Sequence, residues 1–332
     1  MANEYPLVSV IIPVHPAKTE ARAAAASRQL DYPKEKLEII VVRSTDLATF
    51  PSMKRNAAIR AAKGELIYFL DDDSIPQPDN LRRAAAHFAD PKVQMVGGPN
   101  VCPPDAPTIE QAFANVMGSL VAFGPSCARY RSAGKLRESS EKELISCNLV
   151  SRRGVLLESG GFDESLYPNE ENALMDAVLK RGKLLYDPEM IVHRRPRSTV
   201  RSYAKMVFSY GRGRAEQFRL HPTAGSFINF IPPAFCVYLL AALSVLALVL
   251  THVAPGQWLW VLSPLALYLA VVVVQSAAVM ARTNFISGLR VLPLLPLTNI
   301  LYGAGILRGF FSKIARVKPG GATDIRLETV PV

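Results

Sequence analysis

The chain is expected to fold as an α/β domain built on a parallel sheet, followed by membrane helices. Short β-branched runs alternate with helical stretches in the N-terminal part, and one run leads straight into Asp71, Asp72 and Asp73. Long, almost uncharged apolar stretches fill the last third. Alternation of strand and helix is the pattern of a parallel sheet, whose ligands bind beyond the carboxyl ends of the strands.

Taken in order, Leu7 to Val14 is a buried strand ended by Pro13 and Pro16, and Leu37 to Val42 is a second. The Ala-rich stretch Thr19 to Leu30 between them reads as helix, as does Met53 to Ala62. Glu65 to Leu70 is the third strand. A helix over Asp79 to Phe88 and a strand over Val93 to Val96 continue the alternation, and Pro99 to Pro107 is a proline-rich link. Thr108 to Phe123 reads as helix and Lys135 to Ser140 as polar loop. Val155 to Ser159 leads into the turn Gly160-Gly161-Phe162-Asp163-Glu164, Asn172 to Arg181 is helical, and Met190 to His193 closes the sheet region.

Three apolar segments follow: Phe227 to Leu250, Trp258 to Met280 and Val291 to Phe311. Each is long enough to cross a hydrocarbon core of about 30 Å. Trp258 and Trp260 fit an interfacial anchor, and the loop Thr251 to Gln257 has no Lys or Arg, whereas Arg282 and Arg290 flank the next connection. That loop is therefore expected outside the cell. Crossing by the third segment would put Arg308, Lys313, Arg316 and Lys318 outside too, and Pro293 and Pro296 weaken a straight span. Two spans plus a re-entrant or interfacial third segment satisfy both observations better than three spans. The expected domains are residues 1–222, with 200–222 as an interfacial amphipathic segment, a membrane domain 223–318 and a tail 319–332.

With 332 residues, 49% hydrophobic and 20% charged, the chain is neither disordered, fibrous nor coiled coil. The net charge of +10 suits an anionic membrane face and phosphate-bearing ligands. Nucleic acid is not expected as a partner, since no basic face with stacking aromatics and no known module is present. Cys102, Cys127, Cys147 and Cys236 show no metal spacing and read as reduced thiols, which places the catalytic part in the cytosol. No removable signal peptide is expected.

On an extended chain, Asp71 and Asp73 project to one side and Asp72 to the other. Two hard carboxylates suit Mg²⁺ or Mn²⁺ carrying a diphosphate. A helix N-cap cluster is the plain alternative, and an aspartyl-phosphate phosphatase with Asp71 as nucleophile is the catalytic one. A membrane scaffold without catalysis is a third class.

The segments Ser9 to Val14 (SVIIPV), Glu38 to Val42 (EIIVV), Arg55-Asn56, Ala62 to Glu65 (AKGE), Phe69 to Asp73 (FLDDD) and Gly160 to Glu164 (GGFDE) occur in an order that resembles the family 2 glycosyltransferases of GT-A fold. The likeness runs over roughly residues 7 to 215, and the apolar segments resemble those of membrane-bound members, notably the succinoglycan-type polyprenyl-linked glucosyltransferases. The resemblance implies inverting transfer of a hexose from a nucleotide sugar to a lipid-linked acceptor, a polyprenyl-diphosphate sugar, in bacterial polysaccharide synthesis. It implies a multi-pass protein of the inner membrane with a cytoplasmic catalytic domain, with other polysaccharide-assembly enzymes as possible partners.

For the site, the resemblance implies Mn²⁺ or Mg²⁺ on Asp71 and Asp73, with His193 as a further ligand or else a core or loop histidine. Donor contacts are implied at Pro13, Arg55, Asn56, Asp71 and Asp72. In the acidic pair Glu170-Glu171, the second member is implied as general base; Glu171 stands where relatives usually carry Asp. Relatives also commonly carry Asp-Asp-Gly-Ser after the second strand, with an Asp that reads the base; here Arg43, Ser44, Thr45 and Asp46 stand there. Base recognition is lost or moved to Asp46, UDP remains the default, and Arg43 contacts phosphate or packs outside the pocket. Arg212 and Arg214, around Gly211 and Gly213, belong to an interfacial amphipathic helix or reach a diphosphate.

Overall fold

The computed structural model describes residues 5–222, 229–314 and 324–332. In chain order the elements are β1 (Val8–Pro13), α1 (Arg22–Ser27), β2 (Leu37–Arg43), α2 (Pro51–Ala61), β3 (Leu66–Leu70), β4 (Ile75–Pro76), α3 (Asn80–His87), β5 (Val93–Gly97) and β6 (Asn100–Val101). Next come α4 (Thr108–Met117), α5 (Leu120–Phe123), β7 (Arg137–Glu138), β8 (Asn148–Arg152), α6 (Arg153–Glu158), α7 (Glu170–Leu179), β9 (Lys183–Tyr186) and β10 (Val192–His193). The chain ends with α8 (Val200–Leu220), α9 (Ile231–Leu250), α10 (Ser263–Arg282), α11 (Phe285–Phe311) and β11 (Arg326–Val330). It divides into two compact units, Met1–Asp105 with Pro125–Arg195 and Ile314–Val332, and Ala106–Gly124 with Pro196–Lys313.

The first unit is an eight-stranded sheet in the order β11-β2-β1-β3-β8-β5-β9-β7, with a small second sheet β4-β10-β6. The strands β1 and β3 are buried at every position, as continuous apolar runs covered on both faces must be. One buried cluster joins Val10, Ile12, Tyr68 and Leu70 to Ala23 and Leu81, and the other joins Ile11, Ile67 and Phe69 to Ile59 and Met175. The β1 strand pairs in parallel with β2 and β3, so the carboxyl ends of all three open on one edge.

The sheet is mixed rather than wholly parallel. The β8 strand runs antiparallel between β3 and β5, β7 is antiparallel to β9, and β11 is antiparallel to β2. The N-terminal β-branched runs do form parallel strands, whereas β8 lies antiparallel between β3 and β5 and β7 lies antiparallel to β9 at the sheet's edge. Other boundaries move as well. The first helix keeps only Arg22–Ser27 of the expected stretch, α7 starts at Glu170 rather than Asn172, and the expected polar loop contains β7. The expected helix Thr108 to Phe123 breaks at Gly118, and Ser119 caps the new start by accepting the Val121 N–H. The tail contributes β11, whose residues Arg326 to Val330 pair with Arg43 to Ile39.

In the second unit α8 begins at a capping box between Thr199 and Ser202. It lies along α11 with backbones in close approach: a Cβ on Gly305 would sit 2.2 Å from the Phe208 carbonyl oxygen, and one on Gly309 would sit 2.4 Å from that of Arg212. Phe113 stacks on Tyr203, whose hydroxyl meets Thr298 Oγ1 at 2.9 Å. The helix α11 runs through Pro293 and Pro296 without ending. The segments Ile231–Leu250, Gly256–Arg282 and Phe285–Phe311 are each long and apolar enough to cross a membrane. The first residues expected in the first apolar segment, and Arg316 and Lys318, lie outside the described residues.

Candidate active site

Asp71, Asp72 and Asp73 follow β3 at the carboxyl edge of the sheet, and the turn splits their carboxylates. The Asp72 carboxylate accepts the His15 backbone N–H at 3.1 Å and pairs with Lys18 Nζ at 2.5 Å, tying the ends of β1 and β3 together. Asp71 and Asp73 meet one guanidinium, that of Arg194: Nη1 lies 3.1 Å from Asp71 Oδ2 and Nε lies 2.6 Å from Asp73 Oδ1. Burial alone would raise the Asp73 carboxyl, but Arg194 and Lys18 hold it below the usual carboxylate range.

Arg55 on α2 is almost fully buried and joins two elements. Its Nη2 lies 2.9 Å from Asp71 Oδ1 and its Nη1 lies 3.2 Å from Glu170 Oε1. The guanidinium also faces the Phe162 ring at 5.3 Å. The next residue, Asn56, spends its amide on the glycine turn, donating to Phe162 O and Glu164 Oε1 and accepting the Phe162 N–H. Gly161 has φ +74°, and a Cβ there would meet Asn56 Oδ1 at 2.5 Å, so the clamp requires glycine. Asn56 thus holds the turn that delivers the chain to α7.

Glu170 and Glu171 occupy the first turn of α7, where the helix N-terminus favours negative charge. Their environments differ. Glu170 is enclosed, and desolvation pushes its carboxyl up to about 7 against the pull of Arg55. Glu171 is more open, accepting the Ser146 N–H at 3.1 Å and the Ser146 hydroxyl, with Arg129 Nη1 at 3.5 Å from its other oxygen. Arg129 also donates to Asn172 Oδ1 at 2.5 Å.

The Glu170 shift has a pH consequence. The folded chain binds this proton up to about pH 7, whereas the unfolded chain releases it near 4.5, so stability falls as pH rises between those values. Thermal unfolding from pH 4.5 to 7.5 should show that decline, and Glu170→Gln should flatten it.

The remaining expected site residues fall as follows. Pro13 ends β1 and is buried. Asp46 caps its own turn by accepting the Ala48 N–H at 2.8 Å. Its backbone N–H and that of Thr45 turn to Asp324, which also accepts from the Ser44 and Thr45 hydroxyls. Arg43 pairs with Glu328 on β11. In the second unit, Arg212 pairs with Glu216 and the buried Arg214 donates to Gln217.

His193 is paired through its strand with Ile75, and its Nδ1 is buried without a partner among the described residues. Among the described residues no three His, Cys, Asp or Glu side chains gather as a cation site, so the set Asp71, Asp73 and His193 is not assembled. Successive residues of an extended chain point to opposite sides, and it is Arg194 rather than His193 that reaches the carboxylates. Asp71 and Asp73 nonetheless fit a hard divalent cation: they are oxygen donors that converge on a single positive group.

Sequence reasoning missed Arg194, Lys18, Arg129, Ser146 and Asp324. Arg194 and Lys18 each follow a strand end, which is a weak signal. Asp324 has none, because 278 residues separate it from Asp46.

Residues 66–274 match the family described as "Glycosyl transferase family group 2", and residues 1–130 match "Glycosyltransferase like family 2". The chain is a family 2 glycosyltransferase. Its catalytic fold is GT-A: the mannosyltransferase PcManGT of Pyrobaculum calidifontis, solved with GDP-Man and Mn²⁺, aligns with TM-score 0.53 at 16% identity over 93% of this chain and 88% of that one. The pre-mycofactocin glycosyltransferases of two Mycobacterium tuberculosis strains, CDC 1551 / Oshkosh and ATCC 25618 / H37Rv, are 28% identical over 184 residues. That is 52% of this glycosyltransferase, and it spans 36% of the length of these relatives. Family membership replaces the phosphatase and scaffold alternatives.

Proposed function

We propose that this glycosyltransferase moves a hexose from a nucleotide sugar, by default UDP-linked, to a lipid-linked acceptor of the polyprenyl-diphosphate sugar type at the cytoplasmic face of the bacterial inner membrane. The reading rests on one observation: the sheet's carboxyl edge gathers Asp71 and Asp73 and joins Asp71, through Arg55, to the paired glutamates that open α7. A structural neighbour that holds GDP-mannose with Mn²⁺ supports a nucleotide-sugar donor. Asp71 and Asp73 would hold Mg²⁺ or Mn²⁺, which when bound stabilises negative charge on the departing diphosphate. Glu171 is the group that takes the acceptor proton, and Ser146 and Arg129 orient it. Pro13, Asp46, Arg55, Asn56 and Asp72 shape or support the donor pocket; Arg212 and Arg214 are further candidates for diphosphate. Unfolding temperature measured with UDP, GDP and other diphosphates, each with Mn²⁺, Mg²⁺ or EDTA, tests the donor class, since ligands of the folded state raise it. No shift with any nucleotide would refute the donor reading.

Two spans and an interfacial third helix agree best with this role. The β11 strand joins the same sheet as β1, which supports an even number of crossings between those two strands. We assign the interfacial position to α11, which is more buried against its neighbours than α9 or the segment Gly256–Arg282. It also lies along α8, whose Arg201, Lys205, Arg212, Arg214 and Arg219 belong at a water interface. Single-cysteine labelling of whole cells should reach residues of the Thr251 to Gln257 loop. Residues between Arg282 and Arg290, and the β11 tail, should label only after permeabilisation; a tail labelled from outside would mean three spans.

A further inference from the structure

Each of the four carboxylate oxygens of Asp71 and Asp73 meets a cationic side chain. Arg55 takes Asp71 Oδ1 at 2.9 Å and Arg194 takes Oδ2 at 3.1 Å. Arg194 takes Asp73 Oδ1 at 2.6 Å and Lys18 lies 3.5 Å from Oδ2. Among the described residues only Arg194 bridges the two aspartates, with its Nε and Nη1 fork spread across the pair. We propose that Arg194 is a built-in counter-cation that competes with the divalent ion for Asp71 and Asp73 and so sets the site's cation affinity.

Three features support this role. Two carboxylates held close enough to share one guanidinium repel each other, so the pair needs a positive charge before any ligand arrives. Arg194 supplies it from a fixed backbone, since its N–H donates to Val101 O at 3.0 Å beside the strand β10. Its side chain is 26% exposed, so it can withdraw without disturbing the sheet, whereas that of Arg55 is 4% exposed and locked between Asp71 and Glu170.

The exchange makes cation and donor binding interdependent. A divalent ion alone must evict Arg194 and leave that guanidinium without its anions. An ion that arrives with a nucleoside diphosphate brings new negative charge with which the freed guanidinium can pair. Cation alone therefore binds weakly and cation with diphosphate binds better, a coupling that discriminates against the empty ion.

The inference rests on the assignment of Asp71 and Asp73 as cation ligands, and Mn²⁺ binding to the full-length protein in detergent, followed by electron paramagnetic resonance, tests it without turnover. Arg194→Gln should bind Mn²⁺ alone about ten-fold or more tighter than the wild type, equivalent to about 1.4 kcal/mol, and added UDP or GDP should raise its Mn²⁺ affinity less. Arg194→Lys, whose ammonium cannot span both carboxylates, should fall between. Adding Asp73→Asn to Arg194→Gln should reverse the gain. Equal or weaker Mn²⁺ binding by Arg194→Gln and Arg194→Lys would overturn the proposal. Nucleoside diphosphate binding in metal-free buffer, with no Mn²⁺ bound by any variant, would also overturn it while leaving the donor reading intact. Loss of nucleotide binding under every condition would overturn that reading instead.

Discussion

Replacing Glu171 by Gln should lower sugar transfer by about 10²–10⁴-fold, the usual contribution of proton removal in the transition state, with donor affinity nearly unchanged. The substitution keeps size and hydrogen-bonding shape but cannot take up a proton at neutral pH. Glu171 is the more open of the two glutamates, with a side chain 17% exposed against 7% for Glu170, and it is aimed by Ser146 and Arg129 rather than enclosed by an ion pair. Glu170 acts through Arg55 on Asp71, so Glu170→Gln should appear chiefly as weaker donor binding. Steady-state kinetics separate the two, because a lost base lowers kcat and a disturbed donor site raises KM. A kcat collapse in Glu170→Gln with an active Glu171→Gln would move the base to Glu170.

Arg55→Gln is expected to cost the catalytic domain about 3–5 kcal/mol of stability, the range seen when one partner of a buried ion pair is removed. The guanidinium holds Asp71 and Glu170 at once, and its loss leaves Asp71 without its buried partner and drives the enclosed Glu170 carboxyl to take up a proton. Arg55→Lys should recover only part of the loss, since an ammonium lacks the fork that spans both carboxylates. Denaturant unfolding of the purified variants gives the values, and Arg55→Gln combined with Glu170→Gln should cost less than the sum of the two single changes. Additive losses would show that Arg55 and Glu170 act independently.

The parts of this fold readable in advance are those where a single local run decides the structure. Val10 to Pro13, Ile39 to Val42 and Leu66 to Leu70 are continuous apolar runs because both faces of their strands are covered, and the aspartates follow directly from the third. Strand β8, NLVSR, and strand β11, RLETV, are short and partly polar, and they take their form from the neighbours they pair with. The same division holds in the site. Asp71, Asp73, Glu170 and Glu171 lie in recognisable local patterns, whereas Arg194 matters because β10 brings it back to a turn 121 residues earlier. The loop that carries Asp46 also holds Asp324, which lies just before β11 and which no local pattern near Asp46 announced. Pro293 and Pro296 weaken a straight span on the sequence reading, yet α11 runs through both, with packing along α8 and the Thr298 hydroxyl on Leu294 O accompanying the continuous helix.

The most direct test of the whole account is transfer of radiolabelled sugar from UDP- and GDP-linked donors to a polyprenyl-diphosphate-sugar acceptor by the purified full-length protein in lipid nanodiscs, with product recovered by organic extraction. The account predicts an extractable, lipid-linked labelled product that requires acceptor and is lost in Asp71→Asn and Glu171→Gln. Label that stays in the aqueous phase as free sugar or donor, or that reaches lipid equally well with Asp71→Asn, would contradict it.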